Sequence, residues 1–347
     1  MNLAQLNALV AVEDHRTFTA AAHALHTVQS NVSSHVGHLE RELGVVLVNR
    51  ATSELTSEGV VVARRARRVI AECASITIDL SSAGQPRGPS RIGMIGTAAR
   101  WLAPDLLGEL TAGYPHIHLV VSEGTSTALA EHLGSARIDA AILHGAVRAT
   151  EPLELVPLFD EDLLLVLPPS FLFPARTTIG VRDLAALDLI LPPPGTAYRP
   201  ELDAAASAEG VELHAGAEFD GVRLIASLTF DGHGPSILPA TAIPSWVRDR
   251  CRILPVDGLP PRRIAVAHLA RAQPSAATQA VLGVVTRLVA RRGNRDQLIR
   301  PCVTPREIAP TTPAETATIL RDTCPSERHR QRPQTSCEDQ QRTVSPS

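Results

Sequence analysis

The sequence predicts an α+β chain in three parts: a small helical N-terminal domain, one long helix, and a large domain of two α/β lobes. Three observations carry this. A helix-turn-helix pattern occupies Phe18 to Arg50, an apolar stripe runs along a helix from Ser57 to about Leu80, and strand-like and helix-like segments alternate from residue 91. At 347 residues the chain is too long for one core, so two or more domains are expected.

The first helix is expected over Leu3 to about Asp14, with Leu3, Leu6, Leu9 and Val10 facing inward. Ala20, Ala21, Ala22, Ala24 and Leu25 give a short second helix whose small side chains permit close packing. His26-Thr27-Val28 is then a three-residue turn. A third helix opens at Gln29-Ser30-Asn31 and places Val32, Val36, Leu39 and Leu43 on its buried face. The opposite face carries Gln29, Ser30, Asn31, Ser33, Ser34, His35 and His38. Short hydrogen-bonding side chains near a helix N-terminus suit base edges and phosphates in a major groove. An ordinary amphipathic hairpin has the same periodicity, so the pattern by itself leaves both readings open. Thr19, at the start of the second helix, reads equally as a phosphate ligand or a helix cap, and exposed His35 as a phosphate donor or an idle residue.

The stretch from Asn2 to Gly59 resembles the LysR-type transcriptional regulators. The resemblance lies in NLxQLxxLxAV, then TFTAAAxxLxxxQSxVSxxVxxLExELGVxL, then an arginine and LTxxG, and it continues through the rest of the chain to about residue 292. It implies a winged helix-turn-helix over 1–56, with Gln29, Ser30, Asn31, Ser33, Ser34 and His35 facing double-stranded DNA; the position of Arg50 suggests a phosphate contact. Two departures affect the wing. Only Ala51, Thr52, Ser53 and Glu54 separate Arg50 from Leu55-Thr56, so the wing tip is short and acidic, and Val48 stands where the family favours Phe.

Thr56 is expected to cap the helix over 57–82, with Glu58 in its first turn where the dipole favours negative charge. Val60, Val61, Ala63, Ala66, Val69, Ile70, Cys73, Ile76 and Leu80 form its apolar stripe. Pairing with the same helix of a second chain covers that stripe, and the resemblance implies such a dimerising linker in a homodimer or homotetramer. The alternative is packing on the chain's own large domain. Residues 83–89 read as a hinge. From there RIGMIG (91–96), a helix near 101–112, HLVVSE (118–123), a helix near 126–134 and DAAIL (139–143) make a βαβαβ series, hence a parallel sheet. LELVPLF (153–159) and DLLLVLP (162–168) lead to a second lobe, and 263–269 crosses back before a helix near 275–291. The expected division is lobe I at about 90–160 and 268–292, lobe II at about 161–267. Two such lobes within 90–292 match the periplasmic-binding-protein-like effector domain that the resemblance implies.

Composition narrows the function. All 33 basic residues are arginine, the net charge is −3, and residues 1–90 balance eight Arg against eight Asp and Glu. Non-specific affinity for nucleic acid rests on phosphate neutralisation, so a strong one is not expected. Five cysteines without metal spacing fit a reduced cytoplasmic protein, and no run is apolar enough for a membrane span. Residues 293–347 hold seven prolines, eight arginines and seven acids without apolar periodicity, and are expected to be disordered.

Candidate effector ligands lie where strands end and helices begin, the crevice that open parallel sheets use. Thr97 and Arg100 follow the first strand, Thr125 and Ser126 the second, His144 the third, and Thr196 precedes a helix of the far lobe. Hydroxyls and free amides there suit a small carboxylate or other anion; capping is the alternative role of each residue singly. No GxSxG, phosphate-binding loop, HExxH or dinucleotide fingerprint occurs, and no cofactor or metal is expected. The expectation is therefore a DNA-binding regulator with a small-molecule effector. An enzyme or binding protein using the two-lobe domain is the alternative.

Overall fold

The computed structural model describes residues 1–302 except 82–84, 146–151, 170, 271–272 and 294, with side chains undescribed at 75 and 77–81. Three helices open the chain: α1 (Leu3–His15), α2 (Phe18–Ala24) and α3 (Gln29–Leu43). Asn2 and Gln5 cap α1 reciprocally, each side chain accepting the other's amide at 3.0 and 2.8 Å. Thr17 rather than Thr19 caps α2, its hydroxyl accepting from Ala20 N at 3.1 Å. Val32, Val36 and Leu39 are fully buried in the N-terminal core with Leu9, Val12 and Ala21. Leu3 and Leu43, expected inward, are exposed because they occupy the outermost turns of their helices.

Val48 and Leu55 pair as a single antiparallel bridge, a minimal wing that turns through Ser53 at φ 60°. The long helix α4 (Ser57–Ser81) follows, and Thr56 caps it as expected, accepting from Gly59 N at 3.0 Å. Gly59 permits the close approach of α4 to the wing, since a Cβ there would lie 2.0 Å from the Leu47 carbonyl oxygen. Ala63 and Ala66 are buried in the N-terminal core, whereas Val60, Val61, Val69 and Ile76 remain exposed.

Lobe I is built from β1 (Gly88–Met94), α5 (Gly96–Gly113), β2 (Ile117–Glu123), α6 (Ser126–Gly134), β3 (Ala140–His144) and β4 (Leu153–Glu161). Lobe II contains β5 (Leu163–Leu167), β6 (Ile179–Gly180), α7 (Val181–Leu184), β7 (Leu189–Leu191), α8 (Arg199–Ala208), β8 (Ala215–Glu218), α9 (Val222–Phe230), β9 (Ser236–Pro239) and β10 (Arg252–Asp257). The chain returns through β11 (Arg262–Leu269), α10 (Ala276–Gly293) and β12 (Ile299–Pro301). The two sheets have the orders β12-β4-β11-β3-β1-β2 and β6-β10-β5-β9-β7-β8. β1 pairs in parallel with β2 and β3, while β4 and β11 are antiparallel, as expected of strands that carry the chain between lobes. One apolar core runs from α5, β1, β3 and α10 of lobe I to Leu164, Ile190, Ile225 and Leu238 of lobe II. A separate core fills the rest of lobe II.

Four expectations need correction. Gly88 and Pro89, read as hinge, begin β1, since they pair with Ile117 and His118. α5 starts at Gly96 rather than near 101, which puts Thr97 and Arg100 in its first turns. β11 lies wholly in the lobe I sheet, so lobe II ends near Asp257 instead of 267. Order also continues past Gly293: β12 pairs with β4, Ile299 is buried, and Arg248–Asp296 and Arg300–Asp162 ion pairs tie the segment down. The apolar pair Leu298-Ile299 is too short to register as periodicity. The disorder expected of 303–347 concerns residues outside those described.

Ile299→Ala is therefore expected to destabilise the two-lobe domain by about 2–4 kcal/mol, the range for truncating a buried aliphatic side chain. Urea denaturation followed by tryptophan fluorescence measures it, because Trp101 and Trp246 both lie in this domain. An unchanged midpoint would show that β12 contributes nothing.

Candidate functional sites: a helix face and an interlobe cleft

The start of α3 has no side-chain cap; Val28 at the N-cap position is apolar. Asn31 N turns back to Val28 O at 3.0 Å, while the amides of Gln29 and Ser30 meet no side-chain cap, and such amides attract anions. Gln29, Ser30, Asn31 and Ser34 are exposed beside them, with Ser33 and His35 half-buried. Asn31 Nδ2 donates to Thr27 Oγ1 at 2.9 Å, which orients that side chain across the turn. The structure thus gathers the six expected residues on one face, with Thr19 exposed on neighbouring α2.

Arg50 is held from three sides. Its guanidinium donates to Glu40 Oε2 at 2.6 Å and to Ser33 Oγ at 3.3 Å, and stacks 4.9 Å from the Phe18 ring centroid. Sequence reasoning missed Glu40, whose other oxygen accepts from the amides of Leu47 and Val48 at 2.9 and 3.1 Å. Burial pushes the Glu40 carboxyl up, but those amides and Arg50 outweigh it and hold it below the usual range. One carboxylate therefore fixes the wing to α3, and Arg50 serves this clamp. Of the basic residues grouped on α4, Arg67 binds Glu13 at 2.6 Å and Asp14, and Arg68 donates to Gly134 O at 2.9 Å. These arginines tie α4 to α1 and to the end of α6.

The cleft between the lobes is charged and crowded. At its floor Arg262 and Glu161 are both buried, with Arg262 Nε 3.5 Å from Glu161 Oε1. Glu161 Oε2 accepts from Thr241 N at 2.9 Å and Thr241 Oγ1 at 2.7 Å, and Arg262 donates to Thr97 Oγ1 at 3.2 Å. The guanidinium also sits 5.7 Å from the buried Tyr198 ring, whose hydroxyl donates to Ile237 O. Arg262 Nε and Glu161 Oε1 have no hydrogen-bond partner. Thr97, expected as an open ligand, is buried and spoken for.

The other expected residues are distributed unevenly. Thr125 caps α6, its hydroxyl accepting from Ala128 N at 3.2 Å. Ser126 Oγ accepts from the His144 amide at 3.1 Å, so these two meet. The His144 ring faces Arg263 O at 3.2 Å through Nδ1 and Glu201 Oε1 at 3.0 Å through Nε2. Both neighbours are oxygen acceptors. Hydrogen bonding to His144 lowers the Glu201 carboxyl below its usual range, and the charge of Arg262 adds to the effect. Arg100 is exposed on α5 and Thr196 donates to Pro193 O at 2.7 Å; neither is drawn into these contacts. A cavity of about 670 Å³ lies elsewhere, lined by Leu164, Ile243, Arg248, Cys251 and Arg252 among others, and includes none of the expected residues.

Two family descriptions match: the bacterial regulatory helix-turn-helix protein, lysR family, over residues 3–60, and the LysR substrate binding domain over 83–290. Escherichia coli OxyR, described as a DNA-binding transcriptional dual regulator, is 31% identical over 267 residues, 76% of this chain and 87% of that protein. A probable hydrogen peroxide-inducible genes activator of Streptomyces viridosporus is 33% identical over 273 residues, covering 77% and 87%. Among solved structures, a full-length OxyR variant from Pseudomonas aeruginosa aligns with a TM-score of 0.68 at 25% identity, over 83% of this chain and 94% of that one. Full-length CbnR complexed with its target DNA shares the fold at a TM-score of 0.59 and 24% identity, over 84% and 99%. With the capless α3 face at one end and the two-lobe cleft at the other, this chain belongs to the LysR family of bacterial helix-turn-helix transcriptional regulators.

Proposed function

We propose that the chain binds a pseudo-palindromic operator as a homodimer or dimer of dimers, with α3 in the major groove, under the control of a small carboxylate or other anion between its lobes. The uncapped start of α3, with Gln29, Ser30 and Asn31 exposed around it, carries the DNA reading. The exposed stripe Val61, Val69 and Ile76 on α4 supports pairing with a second copy. CbnR, of the same fold, was solved complexed with its target DNA. For the effector, the support is the buried cation Arg262, which donates to Thr97 in the first turn of α5, and the contact of Ser126 with His144 at the ends of α6 and β3. α6 touches the cleft through Ser126 and α4 through Gly134 O, which gives the cleft a short route to the linker helix. Regulation rather than catalysis is the reading that the relatives favour.

The relatives' names refer to hydrogen peroxide; of the described thiols in the two-lobe domain, Cys251 is buried and Cys302 exposed. Thiol chemistry with an oxidant runs through the thiolate. Burial pushes both Cys251 and Cys302 up from the ordinary value, with Asp160 adding to the effect at Cys302.

Changing Gln29, Ser30 or Asn31 to Ala is expected to reduce the preference for operator over scrambled DNA by about 1–3 kcal/mol for each lost base contact. Competition gel-shift assays read this directly. Equal weakening on both DNAs would place these side chains on the backbone instead.

A further inference from the structure

The chain's own glutamates bridge the cleft. Glu201, in the first turn of α8 in lobe II, accepts from His144 at the end of β3 in lobe I at 3.0 Å. Glu123, at the end of β2 in lobe I, pairs with Arg223 of α9 in lobe II at 2.8 Å. Its Oε1 would lie 2.7 Å from a Cβ on Gly96, so this carboxylate rests against the start of α5. Both places that suit an anion between the lobes, beside His144 and before α5, are therefore filled from within. Glu201 is held through one oxygen only. Its Oε2 is buried without a hydrogen-bond partner, which leaves that oxygen stripped of water with nothing in return.

We propose that Glu201 is a tethered carboxylate that holds the lobes together by occupying His144, and that the effector acts by displacing it. The proposal rests on the anion reading above. His144 Nε2 offers one N–H toward the cleft, and two carboxylates brought to it repel each other. A group tethered on a folded lobe competes at high effective concentration, so a free anion binds with its intrinsic affinity divided by the fraction of time His144 is released. Displacement removes the His144–Glu201 contact between the lobes and leaves Glu123–Arg223 on the same side of the cleft. The half-satisfied carboxylate makes Glu201 the weaker of the two bridges.

The test uses the full-length protein, with succinate, acetate and sulfate as probes. Without any probe, hydrogen exchange at 143–145 and 199–203 is expected to quicken in Glu201→Ala, and equally in His144→Ala, which cuts the same bridge from the other lobe. Thermal melting of each variant establishes that it is folded. By calorimetry, Glu201→Ala is expected to bind at least one probe about tenfold tighter than the unmodified chain. Unchanged exchange in both variants would overturn the tether. Faster exchange with unchanged probe affinity would overturn the displacement. Faster exchange with no probe bound by either the unmodified chain or Glu201→Ala would overturn the anion reading and leave the tether standing.

Discussion

Arg262→Met is expected to destabilise the two-lobe domain by about 3–5 kcal/mol, the largest effect of any single change considered. Glu161 is wholly buried, and Arg262 is the cation beside it. Removing the arginine strands a carboxylate in a low-dielectric interior, where the two Thr241 hydrogen bonds do not replace a counter-charge. The same reasoning predicts that a second change, Glu161→Leu, restores most of the loss, because an apolar pair carries no desolvation penalty. Urea unfolding followed through Trp101 and Trp246 measures both variants. If the double variant were no more stable than Arg262→Met, the loss would come from packing around Tyr198 rather than from the stranded charge.

Glu40→Ala is expected to weaken the N-terminal domain by about 3 kcal/mol, from two orphaned amides and an unpaired Arg50. Operator and scrambled DNA should lose affinity alike, since the wing and α3 lose their common brace while Gln29, Ser30 and Asn31, proposed to meet bases, are untouched. Circular dichroism of the helical domain gives the first effect and gel-shift titration the second. Glu40→Gln keeps one acceptor and is expected to lose less. Acid should mimic the substitution. The folded-state value of Glu40 is depressed, so its contribution is complete above the ordinary carboxylate range and disappears as pH falls through the lowered value. A change in sequence preference with unaltered stability would show that Glu40 acts on the DNA directly.

Helical periodicity made the DNA-binding half legible. Val32, Val36 and Leu39 recur at helical spacing because one face must be buried, and the opposite face then follows by exclusion. The βαβ alternation announced the two lobes for the same reason. Terminal positions were less readable: Leu3 and Leu43 obey the period yet lie beyond the packing partner, and Thr17 rather than Thr19 is placed to cap. Short strands such as β6, β10 and β12 escaped notice because two to six residues carry too little alternation. The cleft was legible as a place and not as a set of contacts. Ser126 and His144 do meet, but Arg262, Glu161 and Glu201 come from segments some tens to a hundred residues away, and no local pattern marks a side chain whose partner is that distant. Thr97 illustrates the limit. Its position at the start of α5 was foreseeable, and its engagement by Arg262 was not.

Footprinting of the full-length protein on the DNA upstream of its own gene tests the central claim most directly. An exposed α3 on each chain and an exposed apolar stripe on α4 predict two protected major-groove segments on one face of the duplex, roughly 34 Å apart, related by approximate two-fold symmetry. Protection should vanish together at both segments when Gln29, Ser30 and Asn31 are all changed to Ala. A single asymmetric half-site occupied by one chain, or protection that ignores sequence, would contradict the reading of this protein as an operator-binding dimer.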